Sequence, residues 1–193
     1  IKSLFSNNVT INISGGTITT GDENNIGLSN SVNHGKTAYA IEIDDSSDSV
    51  VNISNTAKLM TYGHGSSAIF VNGTAADTSL YTGYTINMTG GSLNTVGRLS
   101  RGIYTFYSDQ AAIYLSGGSI TTGDENNVGL DVDVNYGENS HGIQIINSSH
   151  STIDISGSTD IMTYGRAAHG IYIQGNNPDT SLHQPFGAQR QNF

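Results

Sequence analysis

Ser14–Asn25 reads SGGTITTGDENN, and Ser116–Asn127 reads SGGSITTGDENN. A phrase returning almost letter for letter marks a copied architectural unit, and the limits of the copy decide the fold. Aligning Val9 with Ala111 sets an offset of 102 residues that runs without a gap to Leu80 and Leu182. Within that block Ile41 falls on Ile143, Val51 on Ile153, and the MTYG of Met60 onward on the MTYG of Met162 onward.

A smaller unit lies inside the large one. It opens on an alternating segment: Ile11-Asn12-Ile13, Val51-Asn52-Ile53, Ile86-Asn87-Met88, Ile113-Tyr114-Leu115 and Ile153-Asp154-Ile155, at spacings of 40, 35, 27 and 40 residues. A Gly- and Ser-rich corner follows, then an apolar residue with a Thr two positions on: Ile18/Thr20, Leu59/Thr61, Leu93/Thr95, Ile120/Thr122 and Ile161/Thr163. Period two places both members of each pair on one face. A third segment, entered through a small residue, closes the unit: Ala40-Ile41-Glu42-Ile43, Ala68-Ile69-Phe70-Val71, Gly102-Ile103-Tyr104-Thr105, Gly142-Ile143-Gln144-Ile145 and Gly170-Ile171-Tyr172-Ile173.

Three short strands per unit, stacking at about 4.8 Å, predict an all-β chain folded as a parallel β-helix solenoid of about five coils. The expected repeat domain is 1–182, and 183–193 (HQPFGAQRQNF) is a non-repeat tail. An antiparallel sandwich would not need one three-strand phrase in fixed order, and leucine-rich repeats would need a tighter unit with a recurrent Asn ladder. The unit of 27 residues is nearly the bare coil. Residues 21–37 and 123–140 enlarge the corner before the third strand, while 72–83 and the stretch from 174 enlarge the exit from it, so loops are expected to decorate the rod.

Charge narrows the partners. The net charge is -9, with only 7 Lys plus Arg among 193 residues, which disfavours nucleic acid or an anionic membrane. With 0 Cys, the chain has no disulfide framework, thiolate metal site or cysteine nucleophile. The sequence contains neither a signal peptide nor a membrane span, and its start at Ile1 is read as that of a fragment or mature portion.

The phrase xIxISGGxIxTxG, followed by [SHR]-[GA]-Ix[IV], resembles the passenger regions of bacterial autotransporters, the pertactin-like group of type V secreted surface proteins, over residues 9 to about 175. The resemblance implies a right-handed parallel β-helix displayed outside a Gram-negative cell, with a parent carrying a C-terminal outer-membrane barrel. It says little about activity, because such passengers include adhesins, aggregation factors and stalks for separate enzymatic domains. Neither an Arg-Gly-Asp motif nor the GDSGS of the proteolytic members is in this sequence.

Four groups of residues invite a chemical reading. Asp44-Asp45 and Gly63-His64-Gly65 look like two pieces of the pectin-hydrolysing β-helix glycosidases, where paired carboxylates serve inverting hydrolysis. The Asn-Thr-Asp and Arg-Ile-Lys phrases of those enzymes are missing, and the copied unit has Ile146-Asn147 and Arg166 instead. Asp22, Glu23, Asp124 and Glu125 cluster oxygens for calcium, although two side-chain carboxylates per loop are few for a dedicated site. His141 and His169 share a column with Tyr39, Ser67 and Arg101, which reads as a solvent-facing corner more than as a metal pair.

The fourth group is the outward column of the third strand: Glu42, Phe70, Tyr104, Gln144 and Tyr172, with Phe106 and Tyr107 at the next corner. Phe70, Tyr104 and Tyr172 are the candidate binding residues, since exposed aromatic columns stack on sugar rings or anchor protein partners. The sequence thus predicts a non-enzymatic adhesin shaft at the bacterial surface, without a cofactor. Its expected partners are a host surface protein, a glycan or further copies of itself. The alternatives are a polysaccharide-active β-helix enzyme and a passive spacer.

Overall fold

The computed structural model describes residues 1–23, 37–73, 83–127, 137–148 and 150–175. Most of the inserted loops expected at 21–37, 72–83 and 123–140, and all of the tail 183–193, lie outside the described residues. Among the described residues thirteen strands follow in chain order: β1 (Lys2–Leu4), β2 (Thr10–Ile13), β3 (Thr17–Thr20), β4 (Tyr39–Asp44), β5 (Val50–Ile53), β6 (Lys58–Tyr62), β7 (Ser67–Asn72), β8 (Thr85–Val96), β9 (Arg101–Phe106), β10 (Ala112–Thr122), β11 (His141–Ile146), β12 (Thr152–Thr163) and β13 (Ile171–Gln174). One 3-10 turn spans Glu125–Asn127. Among the described residues no helix is long and apolar enough to cross a membrane.

Among the described residues all strand pairs are parallel, in two sheets. Sheet A runs β1-β4-β7-β9-β11-β13, and sheet B runs β12-β10-β8-β5-β2 with β6 beside β8 and β3 beside β6. Each strand pairs with its counterpart one unit away, as in Ile41↔Ile69, Ile69↔Ile103, Ile103↔Ile143 and Ile143↔Ile171. The expected inward columns therefore stack in register. Among the described residues separate first and second strands occur only in the first two units, as β2/β3 and β5/β6. In β8, β10 and β12 the two merge into one strand of 11 or 12 residues, with pairing shifts near Gly117. The corner is there a bulge that keeps its ladder bonds, and Gly91 and Gly118 supply the left-handed backbone (φ 82° and 92°) that it requires.

The other corners repeat equally well. Phe5, Asp45, Tyr107 and Asn147 all adopt φ between 47° and 53° at the exit from the third strand. The backbone amide of each donates to the carbonyl of the next unit: Phe5 to Asp44, Asp45 to Asn72, Tyr107 to Ile146 and Asn147 to Gln174. Serines bind the entry corners together. Ser100 N donates to Ser140 Oγ (3.0 Å), and the two hydroxyls donate to Gly63 O and Gly97 O respectively.

The core lies between the sheets, with Ile41, Ile43, Ile69, Val71, Ile103, Ile143 and Ile145 facing Val51, Ile53, Leu59, Ile86, Met88, Leu93, Ile113, Leu115 and Ile120. Burial of each such side chain contributes roughly 1.5–3 kcal/mol before chain entropy is counted. Inward burial extends to the Thr column: Thr61, Thr95 and Thr122 are fully enclosed, and their hydroxyls, with that of Thr20, meet no hydrogen-bond partner. In β12 and β13, the last described strands of the two sheets, the same inward positions are far less covered. Ile155 and Ile173 are 43% and 63% exposed, against 1% for Ile53 and Ile145.

Candidate functional site

Position along each strand decides what sheet A shows outward. Tyr39 stacks on Phe70 (ring centroids 4.4 Å apart), Phe70 meets Tyr104 (5.1 Å), Tyr104 meets Phe106 (6.0 Å), and Phe106 meets Tyr107 (4.2 Å). Register produces this ladder, because Phe70 pairs with Tyr104 across β7 and β9 and parallel in-register strands hold like positions about 4.8 Å apart. All five rings are half-buried: each covers its neighbours and leaves part of itself to solvent. Partial burial raises the phenols of Tyr39 and Tyr104 above their ordinary range.

Tyr172 belongs to a second stack. Its ring lies 4.8 Å from that of His141 and 5.8 Å from that of His169, and the two imidazoles are 5.3 Å apart, all within 8° of parallel. Between the two stacks sits Arg101, whose guanidinium carbon is 4.7 Å from the centroid of Tyr104. It donates through Nε to Gln144 Oε1 and through a terminal nitrogen to Leu99 O. The three predicted residues therefore lie on one face but not in one continuous stack, because Gln144 separates Tyr104 from Tyr172 in the column.

The histidine column is not the solvent-facing corner expected from its mixed composition. His141 is 6% exposed and Gln144 4% exposed, because Arg101, His169 and Tyr172 cover them. Burial, then the charges of Arg101 and His169, holds the His141 imidazole down to about 4. Sequence reading also missed Tyr39 as part of the ladder. Tyr39 pairs with Ser67, three positions before Phe70, and only the lean of its ring brings the two aromatics together.

The carboxylate candidates are held locally. Asp124 Oδ1 accepts from the backbone amide (2.9 Å) and side-chain amide (3.2 Å) of Asn126, while Glu23 accepts a hydrogen bond from the Tyr62 phenol. Among the described residues no three His, Cys, Asp or Glu side chains converge as a metal site would need. The pair Asp44-Asp45 and His64 are far apart. Asp44 pairs with Asn72 at the end of β7, while His64 precedes that strand's first residue, Ser67. A strand rise of about 3.3 Å per residue puts more than about 16 Å between them, beyond the reach of a shared catalytic water.

No family model matches this chain, and no curated protein or solved structure matches it either.

Sheet B carries a different outer face. Asn87 Nδ2 donates to Asn52 Oδ1 (2.8 Å), and Asn52 Nδ2 donates to Asn12 Oδ1 (2.7 Å), so three asparagines ladder along β8, β5 and β2. Beyond the second-strand portions of this sheet, a cleft of about 430 Å³ opens over the shortest unit, with Tyr62 and Tyr164 among its lining residues.

Proposed function

We propose that the chain is a parallel β-helix of right-handed coils, the shaft of an extracellular autotransporter-type adhesin, and that it attaches through the outer face of sheet A. The five repeat units are then its coils, and each corner a place where loops leave without breaking the ladder. The observation that carries the attachment reading is the half-exposed ladder from Tyr39 through Phe70 and Tyr104 to Phe106 and Tyr107. Aromatic rings bring large contact area at small entropic cost, which suits a surface that must bind without catalysis.

The sequence resemblance supports the cell-surface setting, and a net charge of -9 agrees with a partner that is neutral or basic. Attachment to host matrix or cells should be abolished when Phe70, Tyr104 and Tyr172 are all replaced by Ser. Measuring adherence of coated beads beside the melting temperature separates lost contacts from lost fold; unchanged adherence by the folded variant would move the site elsewhere.

A further inference from the structure

We infer that the cleft over the shortest unit, on sheet B and away from the aromatic ladder, is a second binding site, built for an uncharged pyranose of an oligosaccharide. Two outward rows of the sheet form its floor. Met60, Asn94, Thr121 and Met162 pair in one row, since Met60↔Asn94, Thr121↔Asn94 and Thr121↔Met162 are in register. The next outward row, two residues on, reads Tyr62, Val96, Gly123 and Tyr164. Tyr62 pairs with Val96, and the hydrogen bonds Gly123 N to Thr95 O and Tyr164 N to Thr122 O carry the row across.

This row explains the depression. Two tyrosines stand three strands apart, about 14 Å at parallel-strand spacing, with a valine and a glycine between them. The shortest unit turns its corner in four residues, Gly97–Ser100, so it places no inserted loop over the gap. The resulting volume of about 430 Å³ falls within the roughly 300–1,000 Å³ of small-ligand sites.

The second copy of the GDENN phrase supplies the polar edge through Asp124, Glu125 and Asn126, and its Glu is placed differently from the Glu of the first copy. In the first copy Glu23 is engaged by the Tyr62 phenol. In the second, the corresponding Glu125 is exposed and has no partner among the described residues, while the Tyr164 hydroxyl lies against Met162 Sδ (3.6 Å). Glu125 thus stands at the cleft with its acceptors open, beside the amides of Asn94 and Asn126.

Ligand chemistry follows from these groups. Among the described residues no Lys or Arg lines the cleft, so a sulfated or uronic sugar would meet the carboxylates of Asp124 and Glu125 without a facing cation from them. A cation would use acceptors alone, whereas the amides and the Thr121 hydroxyl both donate and accept, as sugar hydroxyls do. Tyrosine faces suit the C–H faces of a pyranose ring, and a carboxylate suits a pair of adjacent hydroxyls.

Isothermal titration of the intact chain with cellobiose, maltose, lactose and chitobiose tests the assignment. Saturable binding of at least one disaccharide is expected, weakened at least about tenfold by Tyr164→Ala and by Glu125→Gln at unchanged melting temperature, and retained by Tyr164→Phe. Three results would overturn it: no saturable heat with any of the four, binding indifferent to both substitutions, or binding of oligolysine in place of sugar. The Phe70/Tyr104/Tyr172→Ser variant should bind the sugar normally, so failure here and failure of the attachment face are read separately.

Discussion

The backbone amide of His169 donates a hydrogen bond to Nδ1 of His141 at 3.1 Å, while their imidazole rings lie 5.3 Å apart and 3° from parallel. The bond requires Nδ1 to be an acceptor, which fixes the proton of neutral His141 on Nε2. Protonation would remove that acceptor and place a cation beside Arg101, one of the charges that already depress this imidazole.

Stability should therefore fall as pH drops from about 6.5 to about 4. His141 is held at about 4 when folded and titrates near 6.5 when unfolded, so across that window the unfolded chain takes up the proton and the folded chain does not. The contribution is complete above the unfolded value and gone below the folded one. After allowance for partial screening it amounts to about 1–2 kcal/mol, or roughly 2–8 °C in melting temperature. Melting curves between pH 8 and 4 should show this slope, and His141→Gln should flatten it; a variant with the same slope would assign the loss to other groups.

Thr95→Val should stabilise the protein. The Thr95 hydroxyl is fully buried without a partner, between Thr61 and Thr122 in the same condition. Valine keeps the branched shape and the strand preference while removing the desolvated hydroxyl, a gain of about 0.5–2 kcal/mol. Denaturant unfolding would give the value, and a loss above about 1 kcal/mol would mean that the hydroxyl is in fact satisfied.

Ile143→Asp and Gly102→Ala probe stacking in two ways. Ile143 is fully buried between Ile103 and Ile171, and an unpaired carboxylate there should cost at least about 4 kcal/mol and open the adjoining units. A Cβ at Gly102 would run into Ile120 Cγ2 and the carbonyl of Gly142, so even one methyl should cost about 1–3 kcal/mol. Hydrogen exchange would show protection lost first in β9, β11 and β13 for Ile143→Asp; near-native melting of that variant would sink the stacking assignment.

End-to-end association should depend on the uncovered apolar residues of the terminal strands and their corners. Leu4 and Phe5 at one end, Ile155 and Ile173 at the other, are 43%, 72%, 43% and 63% exposed, beside the terminal strands of both sheets. Sedimentation velocity should show mass rising with concentration, and Ile155→Lys with Ile173→Lys should suppress the rise. A strictly monomeric parent chain would count against self-association as a property of these ends.

Much of the fold was legible because parallel in-register stacking writes itself into the sequence. The triplets around Ile41, Ile69, Ile103, Ile143 and Ile171 recur because each occupies the same place in a ladder, and the paired Thr61, Thr95 and Thr122 were recognisable as inward from their spacing alone. Less legible was the merging of first and second strands in β8, β10 and β12. Pairing through a left-handed bulge depends on backbone geometry that a Gly-Gly pair permits without specifying.

The candidate site divides along the same line. Sequence determined the repeat, the inward columns and the set of aromatic residues turned outward, because these follow from a period of two and a recurring phrase. Only the tertiary structure decided that Tyr39 joins Phe70, that Gln144 splits Tyr172 from Tyr104, that His141 is buried, and that Asp44 and His64 lie at opposite ends of a strand. Those outcomes depend on side-chain lean and on neighbours one unit away, 28 to 40 residues along the chain in these pairs, which no local pattern encodes.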